Sequence, residues 1–293
     1  MSSPNAPRLF RFNHEAMRTE WNFLLVSGDA TQATGAAAAA GQEIDALEKE
    51  LSRFQAYSDL GRLARLRAGE SMSVGLAAWD CLSLAKDVWK ATDGAFDAAI
   101  GALYELWKNR SAADAPTPAE VDETRARCGS DKFELIEDGL RVRVLVDRLK
   151  FDLGALGKGY ALDLVADLLQ THWEMNDFLL ITGGGSTILA GGCSLNGEPW
   201  YVNAGPSGTP SAPLHDRAVS ASGFVHQGAH IIDPRRGLPV STARRRAWAF
   251  APTAALSDAL STAFLVMDPE EIARFHDLHP DTTSRLAEPA APA

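Results

Sequence analysis

What this chain has little of sets the first limits on it. Among 293 residues there are only three cysteines, Cys81, Cys128 and Cys193, an odd number with no CxxC pair and no Cys/His ligand spacing. That excludes a disulfide framework and a structural zinc site, and it fits a reducing compartment. Basic charge is short as well: 28 Lys and Arg against 38 Asp and Glu leave a formal net charge of −10. Such a surface repels phosphate backbones, so nucleic acid is not the expected partner. No apolar run reaches the length of a membrane span, and the opening MSSPNAPRLFRFNHEAMRTEW has no apolar signal core. The expectation is therefore a cytoplasmic chain with no membrane span. No internal repeat is present. What remains is a chain that is 46% hydrophobic and 23% charged, enough apolar material for one large globular domain or two small ones.

Helical and extended patterns are mixed along the chain. WNFLLVS at 21–27 reads as a buried strand. Ile44, Leu47, Leu51 and Phe54 recur at helical spacing from about Gln42 to Phe54, with the alanine run at 36–40 extending that helix. A second helix runs from Val74 to Ala91 and stops at Thr92-Asp93-Gly94. Residues 109–119 read as a surface connection and Glu120 to Arg127 as a short helix. FELIEDGLRVRVL alternates around Asp138-Gly139, a hairpin signal. A glycine-rich turn and helix follow at 152–170, then a strand from Phe178 to Thr182, a hairpin around Cys193 to Val202, a strand from Ala247 to Ala251 and a buried helix from Ala254 to Met267. Without strict βαβ alternation, this order predicts an α+β fold with a mainly antiparallel sheet and packed helices. Residues 16–283 are expected to form one domain, with residues 1–15 a preceding segment and residues 284–293 a disordered tail.

Chemistry has four candidate seats. In DLGALGKGYALD (Asp152 to Asp163) three glycines surround Lys158 just ahead of an apolar helix. Backbone N–H groups there can cradle an anion, or the segment is a tight turn with a solvated lysine. Gly183-Gly184-Gly185, after FLLIT, either cradle a ligand or let the chain turn. Asp258 and Thr262 are four residues apart on an otherwise apolar helix, with Ser261 in the same turn. They supply hard oxygen ligands suited to Mg2+, or else serve as helix caps and turn bonds. His230, in HIIDPRRGLP, is an acid/base candidate with His226 as a competitor, or a structural histidine. The Arg244-Arg245-Arg246 run reads as a solvated edge.

Taken together, DLGALGKGYALD, GGGSTILAGG, AVSASG, HIIDPRRGLP and APTAALSDALSTAFLVM stand in an order and spacing that resembles the ApbE family of FAD:protein FMN transferases. Met17-Arg18-Thr19, LSRFQAYSDLGRL and TDGAFD resemble that family's amino-terminal half, so the likeness runs from about residue 16 to 268. The resemblance implies an α+β fold related to the T-fold. It also implies Mg2+-dependent transfer of the FMN half of FAD to a threonine hydroxyl of an acceptor protein, with release of AMP. By motif, it puts the carbonyl of Ala155 with Asp258, Ser261 and Thr262 at the metal. FAD contacts fall on Met17, Phe54, Ala95, Phe96, Asp97, Asp152, Lys158 and Ile232, and His230 is the acid/base. Two other outcomes use the same residues: a Mg2+-dependent FAD pyrophosphatase, and a catalytically weak FAD-binding protein.

The chain departs from the family pattern at several positions. Arg18 stands where glycine is usual and Phe54 where tyrosine is common. Ala64, Thr182, Ser186 and Ala221 replace the usual asparagine, asparagine, Asp or Asn, and threonine. Asp152, Lys158, His230, Asp233, Asp258 and Thr262 are kept. A surface of net −10 also demands local positive charge where a pyrophosphate docks, and Lys158 and the metal are the expected source.

Overall fold

The structure is a computed structural model that describes residues 6–108, 110, 114–223, 231–240 and 246–287. It opens with two strands, β1 (Arg8–Ala16) and β2 (Thr19–Ser27), followed by helices α1 (Ala30–Leu51) and α2 (Asp59–Leu63), strand β3 (Ser71–Ser73), and helices α3 (Leu76–Ala91), α4 (Gly101–Trp107) and α5 (Pro118–Arg125). The middle holds β4 (Phe133–Ile136), β5 (Arg141–Val144), α6 (Gly157–His172), β6 (Phe178–Thr182), β7 (Thr187–Gly191), β8 (Trp200–Val202) and β9 (Ala212–Leu214). The last part runs through β10 (Arg217–Gly223), β11 (Ile232–Asp233), β12 (Leu238–Pro239), β13 (Arg246–Ala251), α7 (Ala254–Val266), α8 (Pro269–Leu278) and β14 (Thr283–Ala287).

One seven-stranded sheet in the order β1-β2-β6-β7-β10-β13-β14 organises these elements. Each neighbouring pair in it is antiparallel, so the fold is α+β as the sequence predicts. In β2 the period-two alternation puts Trp21, Phe23 and Leu25 wholly inside while the residues between them stay partly exposed. The inner face packs on α1, α6 and α7 in the main core, where Ala33, Ala36 and Ala40 let α1 approach closely. Asp29 caps α1 by accepting the Thr31 N–H at 2.7 Å. A smaller core on the other face joins Trp200, Val202 and Leu214 to Val219, Trp248 and Phe250. Among the described residues, no helix is long and apolar enough to cross a membrane.

Three expectations need correction. Residues 8–15 belong to an edge strand rather than to a separate segment: Phe10 and Phe12 alternate with polar residues and pack on the core. The other edge, β14, includes Ser284 to Ala287 of the expected tail; it pairs with β13, and Arg285 lies over the Phe250 ring. The chain does turn between Ser194 and Glu198, but the strands on either side do not pair with each other. Strand β7 stays in the large sheet while β8 pairs with β9. An edge strand bonds on one side only, so its sequence needs less apolar content than a central strand.

Candidate active site

The start of α6 and the first turns of α7 meet where the chemistry-bearing motifs converge. Gly159 makes this approach possible, because a Cβ there would lie 2.2 Å from the carbonyl oxygen of Ala254. Asp163, one turn further along α6, accepts the N–H groups of Ala254 and Ala255 at 2.7 and 2.8 Å. It thus satisfies two of the donors that the start of α7 leaves open, beside the Thr253 cap. Burial, with a smaller contribution from the Asp258 charge, pushes the Asp163 carboxyl up to about 6 against hydrogen bonds that pull it down.

Asp258 lies one turn inside α7 and is 6% exposed. Lys158 Nζ stands 3.9 Å from Oδ2, and that charge, with the nearby Gly159 N–H and Thr187 hydroxyl, favours the ionised carboxylate. Burial nevertheless raises its pKa above the ordinary carboxylate range. Among the described residues, Oδ2 itself is buried with no hydrogen-bond partner. Beside it, the Ser222 hydroxyl bonds those of Ser261 at 2.8 Å and Thr262 at 3.0 Å. An orphaned carboxylate oxygen beside a cluster of hydroxyls fits a hard cation, which would remove the cost of leaving that oxygen unpaired. Among the described residues no group of three His, Cys, Asp or Glu could hold a metal. The oxygens brought together here are those of one carboxylate and of hydroxyls, a hard set whose chemistry fits Mg2+. Ala155 sits in the turn just ahead of α6 and packs against the core.

A second group continues from the same loop. Lys158 Nζ donates to the Gly154 carbonyl at 2.6 Å, and Asp152 Oδ1 accepts the Gly154 N–H at 2.9 Å. Asp152 Oδ2 pairs with Arg53 at 3.0 Å. The Arg53 guanidinium lies 4.8 Å from the Phe54 ring centre and 4.4 Å from that of Tyr104. Phe54 is 64% exposed, with Arg18 and Lys108 each 6.0 Å from its centre. Met17 and Arg18 form the two-residue turn between β1 and β2, both at positive φ (+50° and +61°), and the Met17 N–H donates to Glu48 at 2.9 Å.

The remaining expected residues fall on other segments, of which 95–98 reaches the same loop, since the Asp152 N–H donates to the Ala98 carbonyl at 2.7 Å. Ala95 and Phe96 are buried, and the Asp97 carboxylate accepts from the Ala99 N–H, the Ser130 N–H and the Ser130 hydroxyl. Burial still leaves Asp97 above the ordinary carboxylate range. Asp97 borders a cavity of about 320 Å³ shared with Trp89, Arg125, Cys128 and Arg235. Ile232 is buried in a small cluster with Leu103 and Cys128, and Asp233 beside it holds Arg235 at 3.2 Å. Gly183, Gly184 and Gly185, all at positive φ, form the turn of the β6–β7 hairpin. His230, His226, Arg244 and Arg245 lie outside the described residues.

Arg53, Asp163, Thr187 and Ser222 are site residues that pattern reading passes over. Asp163 closes the glycine-rich motif and Arg53 adjoins Phe54, so both had a signal in their position. Thr187 and Ser222 lie within GGGSTILAGG and AVSASG, but nothing in those motifs says that they meet α7, because only the sheet brings β7 and β10 beneath it.

The chain matches the ApbE family over residues 17–285. A Salmonella typhimurium protein named FAD:protein FMN transferase is 27% identical over 272 residues, covering 86% of this chain and 77% of that protein. Its namesake from Escherichia coli K12 is 25% identical over 276 residues, covering 88% and 78%. Among solved structures, the apo form of the Pseudomonas stutzeri flavinyl transferase ApbE superposes with a TM-score of 0.86 at 22% identity, over 97% of this chain and 92% of that one. The flavin transferase ApbE of Vibrio cholerae gives 0.83 at 21%, over 97% and 94%.

Proposed function

Because the chain belongs to the ApbE family, we propose that it is a FAD:protein FMN transferase, moving the FMN half of FAD to a threonine hydroxyl of an acceptor protein and releasing AMP. The observation that carries this reading is the orphaned Oδ2 of buried Asp258, placed beside Lys158 and the hydroxyls of Ser261 and Thr262. Asp258, Thr262, Ser261 and the Ala155 carbonyl would hold Mg2+. When bound, the cation supplies charge neutralisation to the pyrophosphate and to the transferring phosphoryl group. Lys158, whose side chain is 26% exposed, binds a phosphate oxygen as a point charge. Asp152 holds the glycine loop by its bond to Gly154, and the exposed face of Phe54 stacks on a ring of FAD. Met17, Ala95, Phe96, Asp97 and Ile232 complete the FAD contacts; where their side chains are buried, the backbone makes them.

In the transfer step the threonine oxygen forms a bond to the phosphorus of the FMN half. The bond from that phosphorus to the bridging oxygen breaks, and AMP leaves with that oxygen. The hydroxyl proton passes to His230, the base that the family motif supplies. The test is to incubate the protein with FAD, Mg2+ and a threonine-bearing acceptor and to separate the products. Covalent FMN on the acceptor with equimolar AMP is expected. Free FMN with AMP would make the protein a pyrophosphatase, and bound FAD without AMP would make it a binding protein; either result overturns the proposal.

A further inference from the structure

Arg53 lies within LSRFQAYSDLGRL but is given no role by the family resemblance, yet it joins two parts of the site that lie about a hundred positions apart in the chain. It follows the C-terminal end of α1, where Ser52 is the cap. Its side chain is 18% exposed, and that of its partner Asp152 is 19%. The guanidinium is flanked by Phe54 at 4.8 Å and Tyr104 at 4.4 Å while it pairs with Asp152 Oδ2 at 3.0 Å. The other carboxylate oxygen of Asp152 accepts the Gly154 N–H, and the Gly154 carbonyl accepts from Lys158 Nζ. A line of direct contacts thus runs from the aromatic ring through Arg53, Asp152 and Gly154 to Lys158, and from there to Asp258. A planar, permanently charged group is what such a place requires, since it can stack on a ring and bond a carboxylate in its own plane.

We infer that Arg53 is a positioning residue for the transfer reaction: it fixes the Asp152 carboxylate, and through it the 154–158 loop, relative to the Phe54 ring. The inference rests on the FAD reading above. Arg53 itself exchanges no proton and need not touch the reacting atoms; its part is to keep the ring face and the phosphate-facing loop at a fixed separation before FAD arrives. Residues that orient a ligand set from behind typically cost tenfold to a hundredfold when removed.

The test uses the full chain with Arg53→Met, which keeps the stem and loses the charge, Asp152→Asn, and the two combined. In the absence of any ligand, amide hydrogen exchange across residues 153–158 is expected to quicken in both single variants. With FAD and Mg2+, the KM for FAD in AMP release is expected to rise about tenfold in each, with kcat changed far less. The double variant should be no worse than the poorer single, as expected of residues that act through one contact. Two results overturn the assignment: energies that simply add in the double variant, or a lowered Tm with loop exchange and KM unmoved. If the wild-type protein releases no AMP from FAD, the function proposed above fails, while the exchange measurement still decides whether Arg53 holds the loop.

Discussion

Asp258 carries more of the account than any other side chain. It is buried, its pKa is raised by that burial, and among the described residues Oδ2 lacks a hydrogen-bond partner. A carboxylate kept in that state costs stability unless a cation joins it. Saturating Mg2+ is therefore expected to raise the melting temperature of the wild-type protein, and Asp258→Asn to abolish both that rise and Mg2+-dependent AMP release. At a hundred times Kd, binding to the folded state alone is worth about 2.7 kcal/mol, well within reach of a thermal shift assay. Arg18 offers a test of opposite sign. It occupies a left-handed position at φ +61° in the β1–β2 turn, which costs a non-glycine residue about 1–2 kcal/mol. Arg18→Gly should stabilise the fold by about 1 kcal/mol, read as a higher denaturation midpoint. At this scale the sequence singled out Asp258 and Thr262, because a carboxylate and a hydroxyl on one face of an apolar helix are unexpected, while spacing alone left helix caps and turn bonds as the simpler reading. It could not show that Thr187 and Ser222 meet them, since that depends on strand order.

Between elements, the contact that matters is α6 on α7. Gly159 permits the approach and Asp163 fastens it by two hydrogen bonds to the first N–H groups of α7. Asp163 also gives the molecule a readable pH dependence. Its carboxyl rises from the usual 3.8 to about 6 in the folded protein, so between those values the folded state binds more protons than the unfolded one. Stability then falls as pH rises through that window and levels off above it. Subtracting the stability profile of Asp163→Asn from that of the wild type should isolate this slope between roughly pH 4 and 6; a difference independent of pH would contradict it. The elements with strong periodicity were legible: the β2 alternation and the Asp138-Gly139 hairpin formed where pattern placed them, and so did the α1 stripe of Ile44, Leu47 and Leu51, although the helix ends at Leu51 and leaves Phe54, expected to close it, exposed beyond its cap. The Cys193 to Val202 region misled, because a turn signal says that the chain reverses and does not say which partner the next strand takes. The edge strands were missed for the complementary reason that half of their bonding and packing demand is absent.

Over the whole molecule, the net charge of −10 left open how a dianionic pyrophosphate could approach. Lys158 is joined by a cluster of positive groups, Arg18, Arg53 and Lys108, drawn around the Phe54 ring from three separate stretches of chain. Composition hides such a cluster because it sums over a surface that the fold divides. The segments that resemble the ApbE family fall in the large sheet, its covering helices, the separate β11–β12 pair and the connections between them. Every role assigned above depends on one reaction, FMN transfer, and mass spectrometry of a threonine-bearing acceptor incubated with the protein, FAD and Mg2+ tests it most directly. We expect a mass gain of one FMN less water on the acceptor threonine with the wild-type protein and none with Asp258→Asn. An acceptor left unmodified by the wild type, or modified equally by both proteins, would contradict the account.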